Sequence, residues 1–153
     1  MKINNIYSGG STLILSNENK KIITQEFAKV YNLMSNTNNI NEKLFYFSAA
    51  HGMVSRVLNI QYDPTLILIH SVLLSTYSNI NSFLNNIINP KNTFYRFPGT
   101  YFKMIEDRLK ELATAIEENN ENNVYEILKN YSALGYIATG NGNYLYIKGD
   151  LTI

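Results

Sequence analysis

Between Asp63-Pro64 and Ile88 the chain reads DPTLILIHSVLLSTYSNINSFLNNII. Positions alternately three and four apart, Leu66, Ile69, Leu73, Thr76, Ile80, Phe83 and Ile87, make an apolar seam broken only by Thr76. That period predicts one long helix over 64–88 with a buried edge. Asp63 is placed to cap it, Pro64 suits its first position, and Asn89-Pro90 stops it. The next seam round, Ile67, His70, Leu74, Tyr77, Asn81, Leu84 and Ile88, is also largely apolar. The helix is therefore expected to be central, with other elements on every side.

The same period marks four more helices. Phe27, Val30, Tyr31 and Met34 follow a candidate cap at Thr24, and the Asn-rich run 35–41 ends that helix. Asn41 is placed to cap a helix from Glu42 to Leu58, with Leu44, Phe47, His51, Val54 and Leu58 along one side. Gly52 lies inside it, where glycine costs about 1 kcal/mol against alanine, and so marks a close crossing or a kink. Thr100 precedes a seam of Phe102, Ile105, Leu109, Leu112 and Ile116. Its outer positions, Lys103, Glu106, Asp107, Arg108, Lys110 and Glu111, mix both signs as a solvated face does. After the turn over 117–123, Val124, Ile127, Leu128 and Tyr131 predict a last helix that ends at Gly135.

The two ends of the chain alternate instead. Ile3, Ile6 and Tyr7, the turn Ser8-Gly9-Gly10-Ser11 and Thr12-Leu13-Ile14-Leu15 read as a hairpin. Asn17 to Lys20 reads as a second turn, with Lys21-Ile22-Ile23 pairing again. Tyr136 to Thr139 and Tyr144 to Lys148 flank Gly140-Asn141-Gly142-Asn143, the strongest hairpin signal in the chain. The expected fold is thus mainly α (α+β). A five-helix bundle surrounds helix 64–88, with a small antiparallel β-sheet built from the terminal hairpins. A single domain over 1–153 is expected, with a helical core at 24–134 and a β portion from 3–23 and 136–153.

Composition narrows the function classes. The 153 residues are 45% hydrophobic and 16% charged, with a net charge of +1. That gives no global field toward nucleic acid or an anionic membrane, so such binding requires a local patch. Without cysteine there are no disulfides, thiolate metal sites or thiol nucleophile. No membrane segment is expected, and the lack of an apolar leader predicts the cytoplasm.

An enzyme is not expected. There is no phosphate loop, dinucleotide fingerprint, serine elbow or zinc helix. His51 and His70, the only histidines, lie on apolar helix faces. Antiparallel packing of their helices would bring them together, but without carboxylates to complete a metal site. No cofactor is expected. Three places carry a partner-binding signal. The strand face Tyr144, Tyr146 and Lys148 sets stacking surfaces beside a cation, and the loop residues Lys91, Tyr95 and Arg96 repeat that mixture. Arg56 lies in a mostly uncharged helix and needs a specific partner, with Asp63 a candidate.

Taken together, Ala49 to Asn59 (AAHGMVSRVLN), the Asp63-Pro64 helix start, and Val124-Tyr125-Glu126-Ile127-Leu128 leading to Ala133-Leu134 resemble the small subunit of archaeal type I-A CRISPR effector complexes. The match spans about a third of the chain in short pieces. It implies a non-enzymatic helical subunit with an added β portion, packed among protein subunits against guide or target strands of single-stranded RNA or DNA. Arg56 would be a strand contact. Ser55 stands where the family tends to have an acidic residue. Two other readings stay open. Residues 125–148 match the last helix and wing of a winged-helix DNA-binding regulator, and a viral or archaeal structural protein needs no nucleic acid at all. Self-association through the terminal strands is compatible with each.

Overall fold

The computed structural model describes residues 13–85 and 98–138, with side chains over 13–82 and 101–131. Five helices account for nearly all of it: α1 (Asn17–Ser35), α2 (Ile40–Leu58), α3 (Pro64–Asn85), α4 (Pro98–Glu117) and α5 (Glu121–Ala138). α1 packs on α2 and α4, α2 on α3, α3 on α5, and α5 on α4. The helices therefore close into a ring in the order α1–α2–α3–α5–α4, with the core inside it.

The predicted seams are the core. Leu66, Ile69, Leu73 and Ile80 are fully buried, as are Phe102, Ile105, Leu109, Leu112 and Ile116. Thr76, the polar break in the first seam, is buried as well. Its hydroxyl donates to the Val72 carbonyl one turn back at 2.9 Å, which satisfies it without a partner from another element. Asp63 and Pro64 begin α3 as expected: Asp63 Oδ1 accepts from the Leu66 amide at 3.0 Å.

No β-strand occurs among the described residues, so the expected α+β class gives way to an all-helical bundle there. Residues 17–23 are the first two turns of α1, not a turn and a strand. Ser16, rather than Thr24, is the N-cap, its side chain accepting from the Asn19 amide. Ile23, Phe27, Val30 and Met34 all face the core at spacings of four, three and four. Burying Ile23 on that helical face outweighs the turn propensity of Asn17 and Asn19. At the other end α5 runs through Gly135 to Ala138, where a cap and the first residues of a strand were expected. The expected hairpin segments 3–12 and 139–153, and residues 86–88 of the expected central helix, lie outside the described residues.

Leu13 to Leu15 keeps the alternation read from the sequence without forming a strand, with Leu13 and Leu15 buried and Ile14 exposed. Its hydrogen bonds go to the α2–α3 corner instead of to a strand. The Ile14 amide donates to Asp63 Oδ2 at 2.6 Å, the Ile14 carbonyl accepts from Gln61 Nε2 at 3.0 Å, and Gln61 Oε1 takes the Ser16 amide at 3.0 Å.

The expectation that α3 is central is also corrected. Among the described residues its substantial contacts are with α2 and α5. Its second seam is only partly covered: His70 and Tyr77 are half-buried, while Ile67 is 41% and Leu74 40% exposed. In a closed ring each helix has two neighbours and one free side, so only one of its two apolar stripes is fully covered.

Inside the ring one ion pair joins three helices. Lys43 Nζ of α2 meets Glu106 Oε2 of α4 and donates to the Met34 carbonyl in the last turn of α1 at 2.6 Å. The Ser35 hydroxyl donates to Glu106 Oε1 at 3.2 Å. Glu106, placed by its neighbours' signs on a solvated face, is instead buried, because it sits next to Ile105 on the seam side of α4.

Candidate interaction face

The free sides of α2 and α3 adjoin and form a surface that differs from the charged faces of the other described helices. α3 contributes 22 residues without a single charged side chain. Ile67 and Leu74 stand out from it beside the exposed Ser71, Ser75 and Ser78. From α2, Phe45 is 71% exposed, and Ile60 and Tyr62 project from the corner between the helices. By contrast, α1 and α4 carry Lys20, Lys21, Lys29, Lys103, Asp107, Lys110 and Glu111. Several of these are paired, as in Lys103 with Asp107 at 2.9 Å and Lys110 stacked 5.0 Å over the Tyr31 ring. An exposed apolar surface on a molecule whose other helices carry charge is the usual mark of a contact site.

Arg56 lies on this face, in the last turn of α2. It is exposed, and its guanidinium donates to Met53 Sδ at 3.8 Å. Asp63, the expected partner, is unavailable, because one carboxylate oxygen caps α3 and the other holds the Ile14 amide. Among the described residues Arg56 takes part in no ion pair. Lys91, Tyr95, Arg96, Tyr144, Tyr146 and Lys148, the other candidate partner residues, lie outside the described residues.

Gly52 sits on the same side of α2, and its reason is not within the fold. α2 continues through it, and a Cβ built there would meet no atom within 4 Å. The expected close crossing is therefore absent among the described residues. Gly52→Ala should stabilise the folded chain by about 0.5–1 kcal/mol by removing glycine's excess chain entropy, measured by urea denaturation.

The two histidines do meet. His51 of α2 and His70 of α3 lie with ring centroids 4.5 Å apart and planes inclined by 36°. Burial, and then the neighbouring His70, hold His51 below its ordinary pKa of 6.5. The unfolded chain therefore binds this proton more readily than the folded one, and stability rises with pH across the range where His51 titrates. Its contribution is complete above pH 6.5 and declines as pH falls through that value. Urea unfolding as a function of pH should show this decline, and His51→Gln should flatten it in the region just below 6.5. An unchanged slope would show that the contact carries no titration. No group of three or more His, Cys, Asp or Glu among the described residues is arranged to hold a metal ion. Nor is any helix among them long and apolar enough to cross a membrane.

A cleft of about 320 Å³ is lined by Asn17, Lys20, Lys21, Thr24, Gln25 and Glu117, between the start of α1 and the end of α4. Its charges are mixed, and Lys20 is committed to Asn119 Oδ1 at 3.0 Å. It offers no converging set of groups for a ligand of one sign.

The 3.6 period located the core-facing stripes but drew no attention to the outer side of α2, where Glu42, Phe45, Ala49, Gly52 and Arg56 recur at spacings of three and four. Only one of the five is a large apolar residue, so a search for apolar seams passes over them. No protein-family model, curated protein or solved structure matches the chain.

Proposed function

We propose that this chain is a non-enzymatic interaction subunit of a nucleoprotein assembly, with the α2–α3 face as its contact surface. The observation that carries the reading is the exposed apolar side of α3, uncharged over its whole length, with Ile67 and Leu74 facing outward. A helix of this kind gains by being covered, since each buried apolar side chain contributes about 25 cal/mol per Å² removed from water. The nucleic-acid part rests on the resemblance and on Arg56, an exposed guanidinium with no carboxylate beside it. An arginine in that condition is ready to donate two parallel hydrogen bonds to a phosphate.

Fluorescence anisotropy with single-stranded and duplex oligonucleotides across a salt series tests it. Binding to single strands is expected at low salt and should weaken as salt rises. Arg56→Ala should lower the slope of log K against log salt by about 0.7, the loss of one phosphate contact. No affinity even at low salt, with or without cognate subunits, would defeat the nucleic-acid reading. Preference for duplex with a sequence-specific footprint would favour the winged-helix regulator instead.

A further inference from the structure

We infer that the outer side of α2 is the interface through which two copies of this chain associate, antiparallel and about a two-fold axis at Ala49. This rests on reading the α2–α3 face as a contact surface and makes a second copy its occupant when no strand is bound; Arg56 then pairs with Glu42, so the dimer and a single strand compete for it.

Glu42, Phe45, Ala49, Gly52 and Arg56 follow one another at spacings of three, four, three and four, which places them in one stripe along the helix. None of the five is buried: Glu42, Phe45 and Arg56 are exposed, Gly52 is half-buried, and Ala49 is half-buried with part of its surface packed against the core. Followed outward from Ala49 in both directions, the stripe is its own complement. Two such helices laid antiparallel, Ala49 upon Ala49 of the second copy, set Phe45 level with the second copy's Gly52. They also set Glu42 beside the second copy's Arg56. A two-fold axis makes each contact twice.

Each pairing answers something the single chain leaves open. The phenyl ring of Phe45 is exposed on its own fold, and Gly52 offers a flat stretch of helix where nothing lies within 4 Å of a would-be Cβ. Large side chain over glycine is how helices come close. Arg56 gains a carboxylate in Glu42, whose Oε1 accepts the Thr37 hydroxyl and whose other oxygen is left for the guanidinium. Beside the stripe, α3 brings no charge, so apposition of the two faces leaves no unpaired ion buried.

The area is sufficient but not generous. α2 has 19 residues and so is about 28 Å long, and α2 with its flank on α3 is roughly 20 Å wide. Each copy would cover about 560 Å², or about 1,100 Å² in all, just above the size at which an interface becomes specific. A reversible dimer is expected, not an obligate one.

Analytical ultracentrifugation of the full chain without nucleic acid tests the inference. The wild type should pass from monomer to dimer as its concentration rises to about 100 µM, in the range such an area supports. Glu42→Arg alone and Arg56→Glu alone set like charges opposite each other at both ends, and each should associate at least about tenfold more weakly. An equimolar mixture of the two variants restores opposite charges at both ends and should dimerise, as should the double variant Glu42→Arg/Arg56→Glu. Gly52→Ala should weaken association while the folded chain melts no lower. A monomeric wild type, single variants that dimerise as the wild type does, or a mixture that stays monomeric would each overturn the proposal. The outcome is separable from oligonucleotide binding, because the double variant keeps the dimer contact and lacks the arginine at 56.

Discussion

Glu106→Ala is expected to lower the unfolding free energy by about 3–5 kcal/mol, a large part of what holds a domain of this size together. The reason lies in what remains behind. The side chains of Lys43 and Glu106 are each 6% exposed, and the ammonium otherwise has only the Met34 carbonyl. Removing the carboxylate leaves a buried cation with one neutral acceptor, and it leaves the Ser35 hydroxyl without the oxygen it donates to. The joint substitution Lys43→Met/Glu106→Leu should recover most of the loss, because it removes both charges and fills the space. Urea denaturation of the three proteins decides the point. If Glu106→Ala costs less than about 1 kcal/mol, water reaches the pair and the interior is not as closed as its burial implies.

Phe47→Ala and Phe45→Ala, two positions apart on α2, should differ by several kcal/mol. Phe47 is fully buried inside the ring, with its centroid 6.3 Å from that of Tyr131 on α5. Truncation there removes the ring from the middle of the bundle and leaves a cavity, at a cost of about 3–5 kcal/mol. Tyr131 is itself fixed, its buried hydroxyl donating to the Ile105 carbonyl at 3.2 Å, so it is poorly placed to fill the gap. Phe45 is 71% exposed, and its loss should change stability by no more than about 0.5 kcal/mol. Comparable losses at the two positions would mean that the faces of α2 are wrongly assigned.

Much of this arrangement is legible in the chain. The seams of α3 and α4 can be read from spacing alone because a buried helical stripe demands apolar side chains every third or fourth residue. The approach of His51 and His70 follows from the antiparallel course of α2 and α3. The start of α1 was hidden because Asn17 to Lys20 is turn-like and Ile22-Ile23 strand-like in isolation. Only the contact of Ile23 with the core decides between helix and strand, and that contact is tertiary. The same holds for Gly135, which stops many helices but here lies within one. The Lys43–Glu106 pair is separated by 63 positions, and nothing local says that two of the chain's many charges turn inward to meet. The proposed contact face is obscure for a different reason: its residues are mixed in type, and only their spacing about Ala49 relates them to one another.

The closed order of the helices also bears on how the chain assembles. Three of the five contacts, α1 with α2, α2 with α3 and α4 with α5, join neighbours in sequence and need only short loops. The other two, α3 with α5 and α1 with α4, unite a three-helix piece with a two-helix piece. Bringing α1 to α4 closes a loop of more than sixty residues, whose entropic cost grows only as the logarithm of its length. Because that cost rises so slowly with length, the chain between α1 and α4 weighs little against closure, and the buried side chains of the two helices, Phe27 and Phe102 among them, decide whether the ring stays shut.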